Sequence, residues 1–373
     1  MKQLQVLIAR EALLALINPL MAVVGRTTTV ANRIALGNLM LHAEQGLLSA
    51  TASNGITTVE NRVDAEVKAE GTCYLPARKL FEIVRAMNEG VKIDIQAKKD
   101  WASLRVPHSS YKLHNADPSM FPSPSGDVVQ EGVKAVLEVP QKDFQQALVE
   151  TSYCMGVNDV RVMLNGLLFD VRPDEMRLIG TDGHRMALSK LRFKSGATIK
   201  AIVPNETIHF LVAKLAKTDE PVRIEFSERY CRITLDKLVY QTQLVSGRPV
   251  EYEPVIPVGG KKVCTQRREL IGVIERAKIV ANPKYMGVHI HVESGQIGVS
   301  ASNPEQEDSR ENLDASTELD GLAIGFNANY LIQALQSIEA DEVTVSMRDS
   351  AASVLIHGGS PERHINVVMP LRI

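Results

Sequence analysis

The feature that most restricts how this chain can fold is an apolar spacing that occurs three times. Apolar residues fall at i, i+3, i+4 and i+7 in Leu80, Ile83, Val84 and Met87, then in Ile208, Leu211, Val212 and Leu215, then in Leu331, Ala334, Leu335 and Ile338. Each set lays one apolar stripe along a helix. The copies are 128 and 123 residues apart. A second helical set precedes each of these: Leu13, Leu16, Ile17 and Leu20; Phe144, Ala147, Leu148 and Thr151; Leu270, Val273, Ile274 and Ala277, at offsets of 131 and 126 residues. Two patterns recurring at nearly the same long interval indicate repetition of one structural unit.

The segments between the stripes alternate as strands do. A short apolar run and a turn residue lead into each later helix in CYLPARKLF, AIVPNETIHF and AIGFNANYLI, and VKIDIQ, VRIEFS and VTVSM follow them. The side chains of Asn205 and Asn327 are expected to cap the second and third of these helices by accepting from free N–H groups of the first turn. VHIHV-ESGQ-IGVSA and CRITL-DK-LVYQTQLV read as hairpins. The expected fold class is therefore α+β, with three repeated domains over 1–125, 126–252 and 253–373, each carrying two helices packed on antiparallel sheet. The stretches Pro118–Gly126 and Pro249–Gly260, rich in Pro with Ser or Gly, fit linkers. A chain of 373 residues, 45 % apolar, can fill two or three cores.

Several chemistries find no support. The four cysteines, Cys73, Cys154, Cys231 and Cys264, form no CxxC pair and have no His at ligand spacing, so reduced thiols in a cytosolic protein are expected and no metal or cofactor is called for. Arg10 and Glu11 interrupt the apolar N-terminus, and no run reaches a membrane span. Phosphate-binding glycine loops of the GxGxxG or GxxxxGK[ST] kind are absent. Aromatic residues make up only 5 %, which argues against base-stacking platforms. Charge is distributed unevenly: 14 Lys/Arg face 11 Asp/Glu in 1–125, 17 face 16 in 126–250, and 11 face 17 in 251–373. The basic first third and acidic last third invite a head-to-tail contact between copies.

The segment GTDGHRMAL, residues 180–188, gathers Asp182, His184 and Arg185. A nucleophilic triad needs a Ser, Cys or Thr activated by a His that a carboxylate orients. Here Gly183 indicates a turn between the strands MRLIG and RMALSKL, and there is no G-x-S-x-G elbow. A tight structural turn at a domain edge, with Arg185 projecting from it, is the plain reading, and a turn that binds a partner stands between that and catalysis. The pairs Arg78-Lys79 and Arg267-Arg268 at helix starts read as solvated surface, with a shared basic face as the alternative, since both lie in the repeated helices. The run EQEDSRE, Glu305–Glu311, reads as a solvated loop able to supply the acidic half of a subunit contact. The tail INVVMPLRI is apolar to its last residue. It is expected to form an edge strand of the last sheet and to line an apolar groove, where methionine adapts to varied ligands.

DVRVMLNGLLFDV (159–171), GTDGHRMAL (180–188), LVSGRPVEY (244–252), NPEQED (303–308), GFNANYLIQAL (325–335) and VVMPLRI (367–373) together resemble the bacterial DNA polymerase III beta subunit, or sliding clamp, family. GRTT at Gly25–Thr28 and YLPARKLFEIV at 74–84 resemble it more loosely. The resemblance implies three DNA-clamp domains per subunit and a head-to-tail homodimeric ring around duplex DNA, with helices lining the hole and strands outside. It implies a processivity factor without catalysis of its own, located in the cytoplasm on the nucleoid. Its implied partners are the DNA polymerase III alpha subunit, the clamp loader and other clamp-binding replication and repair proteins, with no membrane.

By the same resemblance a pocket for partner peptides involves Leu164, Thr181, Gly183, His184, Arg185, Met186 and Val255, with Ser353, Val368, Met369, Pro370, Leu371 and Arg372. Arg185 and Arg372 would hydrogen-bond the peptide. Arg26 and Asn158 match DNA-approaching positions. Tyr111 and Leu113 would face Ile279 and Val280 across the dimer, with Glu305 and Glu307 nearby. The chain departs from the family pattern at Val162 and Met163, where aromatics are frequent, and at Val250, Pro254 and Ala351. A hydrolase using Asp182 and His184, or a repeat-built scaffold that binds only proteins, are the competing readings.

Overall fold

The computed structural model describes residues 3–25, 37–121 and 131–372. Its contacts divide the chain into two compact units, residues 1–138 with 220–244, and residues 139–219 with 245–373.

The repeated stripes become helices that start on the residue after a strand ends. These are α1 (Arg10–Ile17), α2 (Ala77–Ala86), α3 (Gln141–Ser152), α4 (Asn205–Lys214), α5 (Arg267–Lys278) and α6 (Ala328–Gln336). The preceding residue is Pro76 before α2, Pro140 before α3 and Pro204 before α4, with φ of −64°, −59° and −57°. The ring fixes that φ and removes an N–H that would otherwise need a partner as the chain leaves the sheet. Every stripe residue is buried except Ile83 and Val212, which are half-buried.

Asn327 caps α6 as expected, its side chain accepting from the N–H groups of Asn329 and Tyr330. Asn205 does not cap α4. Pro204 occupies the capping position, and Asn205 lies inside the first turn with its own N–H on the carbonyl of Asn165.

In the first unit, a five-stranded antiparallel sheet runs β5 (Glu66–Ala69), β1 (Gln5–Ala9), β7 (Lys92–Ala97), β8 (Trp101–Val106), β9 (Ser109–His114). An eight-stranded sheet runs β10 (Ala135–Pro140), β15 (Pro221–Phe226), β16 (Tyr230–Leu235), β17 (Leu238–Gln243), β4 (Thr57–Asp64), β3 (Leu47–Ser53), β2 (Asn38–Glu44), β6 (Gly71–Pro76). The expected hairpin of β16 and β17 is present, and β17 pairs in turn with β4.

In the second unit, a nine-stranded sheet runs β14 (Ile199–Pro204), β11 (Gly166–Arg172), β12 (Glu175–Thr181), β13 (Arg185–Arg192), β26 (His364–Val368), β25 (Val354–His357), β24 (Glu342–Met347), β18 (Lys261–Gln266), β22 (Ser316–Thr317). A four-stranded sheet runs β21 (Asp308–Asp314), β20 (Gln296–Ser302), β19 (Gly287–Glu293), β23 (Leu322–Asn327), and includes the expected β19–β20 hairpin.

Two expectations change here. The tail strand β26 is not an edge. It pairs with β13 on one side and β25 on the other, and all five of its residues are buried. The acidic run is not all loop either: from Asp308 onward it forms β21, where Glu311 accepts from Arg276 Nε at 2.8 Å and from its terminal nitrogen at 2.7 Å.

The helix α3 packs closely on this sheet. A Cβ at Gly180 would stand 2.2 Å from the carbonyl oxygen of Thr151, so only glycine permits the approach. From the same helix, the buried carboxylate of Glu150 accepts from Ser189 Oγ at 2.7 Å on β13, from Gln146 Nε2 at 3.0 Å, and from both terminal nitrogens of Arg363 beside β26. This ties one helix to the two strands that carry the site.

Candidate functional site

The site starts from the turn between β12 and β13. Gly183 has φ of +86°, a region L side chains rarely enter, and a Cβ there would lie 2.7 Å from a terminal nitrogen of Arg161. Asp182 closes the turn: Oδ1 accepts from the N–H groups of His184 at 2.9 Å and Arg185 at 3.1 Å, and Oδ2 accepts from Arg185 Nε at 3.0 Å. The carboxylate therefore serves the turn and Arg185, not the His184 ring. That ring stacks on Tyr330 at 6.3 Å and bonds no hydroxyl or thiol among the described residues. The orienting bond and the nucleophile that hydrolysis would require are both missing from the described residues.

Arg185 is held from several directions. Besides Asp182, its head donates to Gln333 Oε1 and to the carbonyl of Tyr153 at 2.9 Å, and it lies over the rings of Tyr330 at 4.5 Å and Tyr153 at 5.2 Å. Three of its nitrogens are engaged inside the protein, so it acts as a fixed wall more than as a free donor. Arg161 is placed similarly. It forks onto Asp159 at 3.0 and 2.8 Å and reaches the carbonyl of Asp182 at 3.0 Å. That guanidinium, with the Arg161 backbone N–H, holds the Asp159 carboxyl down to about 2.

The segment Pro249–Gly260 is pinned by Tyr252, which is 1 % exposed. Its hydroxyl donates to Asp170 Oδ2 at 2.6 Å and accepts from Arg172 at 3.1 Å and Arg177 at 3.2 Å. Burial, then the adjacent Asp170, pushes this phenol up to about 12. The same arginines hold Glu253 at 2.8 and 2.9 Å. What reads as a linker is thus a fixed wall.

These pieces enclose a cavity of about 450 Å³, within the range of small-ligand sites. Leu164, Thr181, Gly183, Arg185, Met186, Val255 and Met369 of the expected set line it. Arg161, Met163, Arg248, Pro249, Glu251 and Val367 line it as well, without having been expected there, and so does Val250, one of the departures from the family pattern. Val368 is displaced from the set by strand alternation. Val367 stands opposite Met186 and joins the small core beneath the cavity, whereas Val368 turns into the core under α5 and α6.

Ser353 lies in a second cavity, of about 360 Å³, which shares Val255 with the first. His184, Pro370, Leu371 and Arg372 line neither. The chain there is fixed by backbone bonds from Met369 N–H to the His184 carbonyl at 3.0 Å and from Leu371 N–H to the Gly325 carbonyl at 2.7 Å.

The remaining expected residues are scattered. Asn158 is exposed at φ +54°, three residues before Arg161. Arg26 lies outside the described residues, as does Ile373 at the end of the tail. Tyr111 sits exposed on β9, an edge strand, while Leu113 on the same strand is 7 % exposed and belongs to its own core. Ile279 is 80 % exposed just after α5, Val280 packs half-buried on the core, and Glu305 and Glu307 are exposed before the edge strand β21. No group of three or more His, Cys, Asp or Glu suited to a metal occurs among the described residues. No helix among them is long and apolar enough to cross a membrane.

Comparison with known proteins covers nearly the whole chain. The DNA polymerase III beta subunit N-terminal domain matches residues 4–124, its central domain 138–249, and its C-terminal domain 253–372. The chain belongs to the DNA polymerase III beta subunit family. It is accordingly an α+β chain of three clamp domains. It is 32 % identical to the beta sliding clamp of Vibrio cholerae over 362 residues, 96 % of this chain and 98 % of that protein. It is 31 % identical to that of Escherichia coli K12 over 341 residues, 91 % and 92 % of the two chains. A solved sliding clamp from Pseudomonas aeruginosa bound to griselimycin superposes with a TM-score of 0.93 at 31 % identity, covering 99 % of this chain and 100 % of that one.

Proposed function

We propose that this chain is a DNA polymerase processivity factor. Two copies close head to tail into a ring around duplex DNA, and each ring slides without reading sequence. Domains 1–125, 126–252 and 253–373 each supply one sixth of the ring. The observation that carries the reading is the family match in three successive segments spanning residues 4–372.

Holding DNA by enclosure fits the charge of the chain. A net formal charge of −2 does not favour tight phosphate binding, whereas a closed ring needs only weak, non-specific contact. Contacts to phosphates carry no sequence information, which suits sliding. Arg26 and Asn158 are the proposed DNA-facing residues. The basic first third and acidic last third favour heterologous contacts that close after two copies. Tyr111 and Leu113 are the proposed interface residues of one copy and Ile279 and Val280 those of the other, with Glu305 and Glu307 nearby; the exposure of Tyr111, Ile279, Glu305 and Glu307 supports this.

The 450 Å³ cavity is the proposed docking site for partner peptides. Met163, Met186, Val255, Val367 and Met369 offer apolar anchoring, and the paired head of Arg185 forms a rigid side. Through this site the ring would tether the DNA polymerase III alpha subunit, the clamp loader and other replication and repair proteins, in the cytoplasm on the nucleoid. The chain itself would perform no chemistry, in keeping with the use of Asp182 as a turn cap.

Electron micrographs of the purified protein test the assembly. Closed annuli of two copies, with an opening wide enough for a double helix, are expected. Open arcs, filaments or solid particles would contradict the proposal.

A further inference from the structure

The second cavity differs in character from the first. One side is the segment Pro254–Gly259, and the other is formed by Ser346, Arg348, Ala352 and Ser353. Ser346 lies on β24 directly opposite Lys262 of β18, so both side chains leave the same face of the sheet, while Val345 and Met347 point into the core. Lys262 is exposed and makes no ion pair among the described residues. Arg348 donates through Nε to Asp349 Oδ2 at 2.9 Å, which leaves its terminal nitrogens without a described partner. Asp349 is committed to its own turn, where Oδ1 accepts from the N–H of Ala351 at 2.9 Å. The cavity is thus lined by one cation, Arg348, and two hydroxyl groups, Ser346 and Ser353, while Lys262 stands beside it, across the strand from Ser346.

Val255 lines both cavities, so the two adjoin at this residue. We infer that the second cavity takes a carboxylate side chain of the same peptide whose apolar anchor fills the first. This rests on the peptide-docking reading above and adds a requirement to it: the partner motif is bipartite, apolar then acidic. Arg348 suits the acidic part because its free terminal nitrogens can fork onto a carboxylate. Lys262 adds charge without needing a fixed geometry, and Ser346 and Ser353 supply hydroxyl donors.

The test uses the full chain and synthetic peptides in fluorescence anisotropy. Each peptide carries two large apolar residues, and a Glu or a Gln is placed at successive positions to either side of them. At one register the Glu peptide is expected to bind about tenfold more tightly than its Gln counterpart, the worth of one charge-assisted contact. In the Arg348→Ala/Lys262→Ala protein that advantage shrinks to about twofold or less, while Gln-peptide affinity holds. Both replaced side chains are exposed, so the fold is retained. Glu and Gln peptides that bind alike at every register overturn this inference alone, as does an advantage that survives the double substitution. Gln peptides that fail to bind the intact chain overturn the peptide-docking reading, and this inference with it.

Discussion

Replacing Arg363 with alanine is expected to destabilise the second compact unit by about 2–3 kcal/mol, because the substitution leaves a buried carboxylate without its charge partner. Glu150 is 1 % exposed and takes both terminal nitrogens of Arg363. The estimate lies below the usual range for breaking a buried pair because Arg363 is half exposed to water and because Ser189 and Gln146 still donate to Glu150. For a unit of this size the melting transition should fall by roughly 5–10 °C. Differential scanning calorimetry on Arg363→Ala, with Glu150→Gln as companion, checks this.

The pH dependence supplies a sign. His364 is buried with Nδ1 4.0 Å from Glu150, and burial holds its pKa below the ordinary histidine value. In the native protein that contributes stability above the ordinary histidine pKa which is lost as pH falls through the depressed one. Removing Arg363 deletes a neighbouring cation that also lowers His364. The imidazolium then becomes the remaining counter-charge for Glu150, and its pKa rises. The deficit of Arg363→Ala should therefore narrow from pH 8 to pH 5. A deficit that widens toward acid would show that Glu150 and His364 are not coupled in this way.

Met369→Glu is expected to weaken partner-peptide binding by about a hundredfold while the protein stays folded, the effect of losing an anchor contact and placing a charge in an apolar site. The residue is 42 % exposed at the mouth of the cavity, so the carboxylate keeps its water in the free protein and gives it up on binding. A peptide titration by calorimetry, beside a melting curve that moves little, makes the comparison. Affinity within about threefold of the native value would place the docking site elsewhere.

Much of the architecture is legible in the sequence because helix periodicity is a local signal. Each of the six stripes begins inside a helix, but Leu20, Met87, Leu215 and Ile338, the last residues of four of them, lie past the helix ends, which needed non-local information. Asn327 and Asn205 look equivalent, yet Pro204 sets the φ of the residue before α4 and takes the capping position. The tail shows a different limit. INVVM reads as an apolar strand, but nothing local states that β13 and β25 lie on its two sides. The two valines 367 and 368 are chemically the same, and only the register against Met186 decides which meets the cavity.

Within the site, the turn was readable from Gly183, whereas the part of Asp182 in closing it emerges only from the bonds to the N–H groups of His184 and Arg185. The wall at Pro249–Glu251 was not, since prolines and glycines signal irregular chain equally well when it is loose and when it is pinned. The one clue was Tyr252, a large aromatic in a polar setting, whose burial depends on Asp170, Arg172 and Arg177 from strands about 80 residues earlier. Glu150 gave no clue either, because its partners at 189 and 363 are distant in sequence.

Retention on DNA of different topology measures enclosure most directly. The protein is loaded onto nicked circular duplex, the complex is isolated by gel filtration, and one half is cut at a single site. Protein that stays with the circle and leaves the linear form, at the same salt and the same length of DNA, is the expected result. Equal retention on both forms would mean that the chain grips DNA by contact, and would contradict the ring.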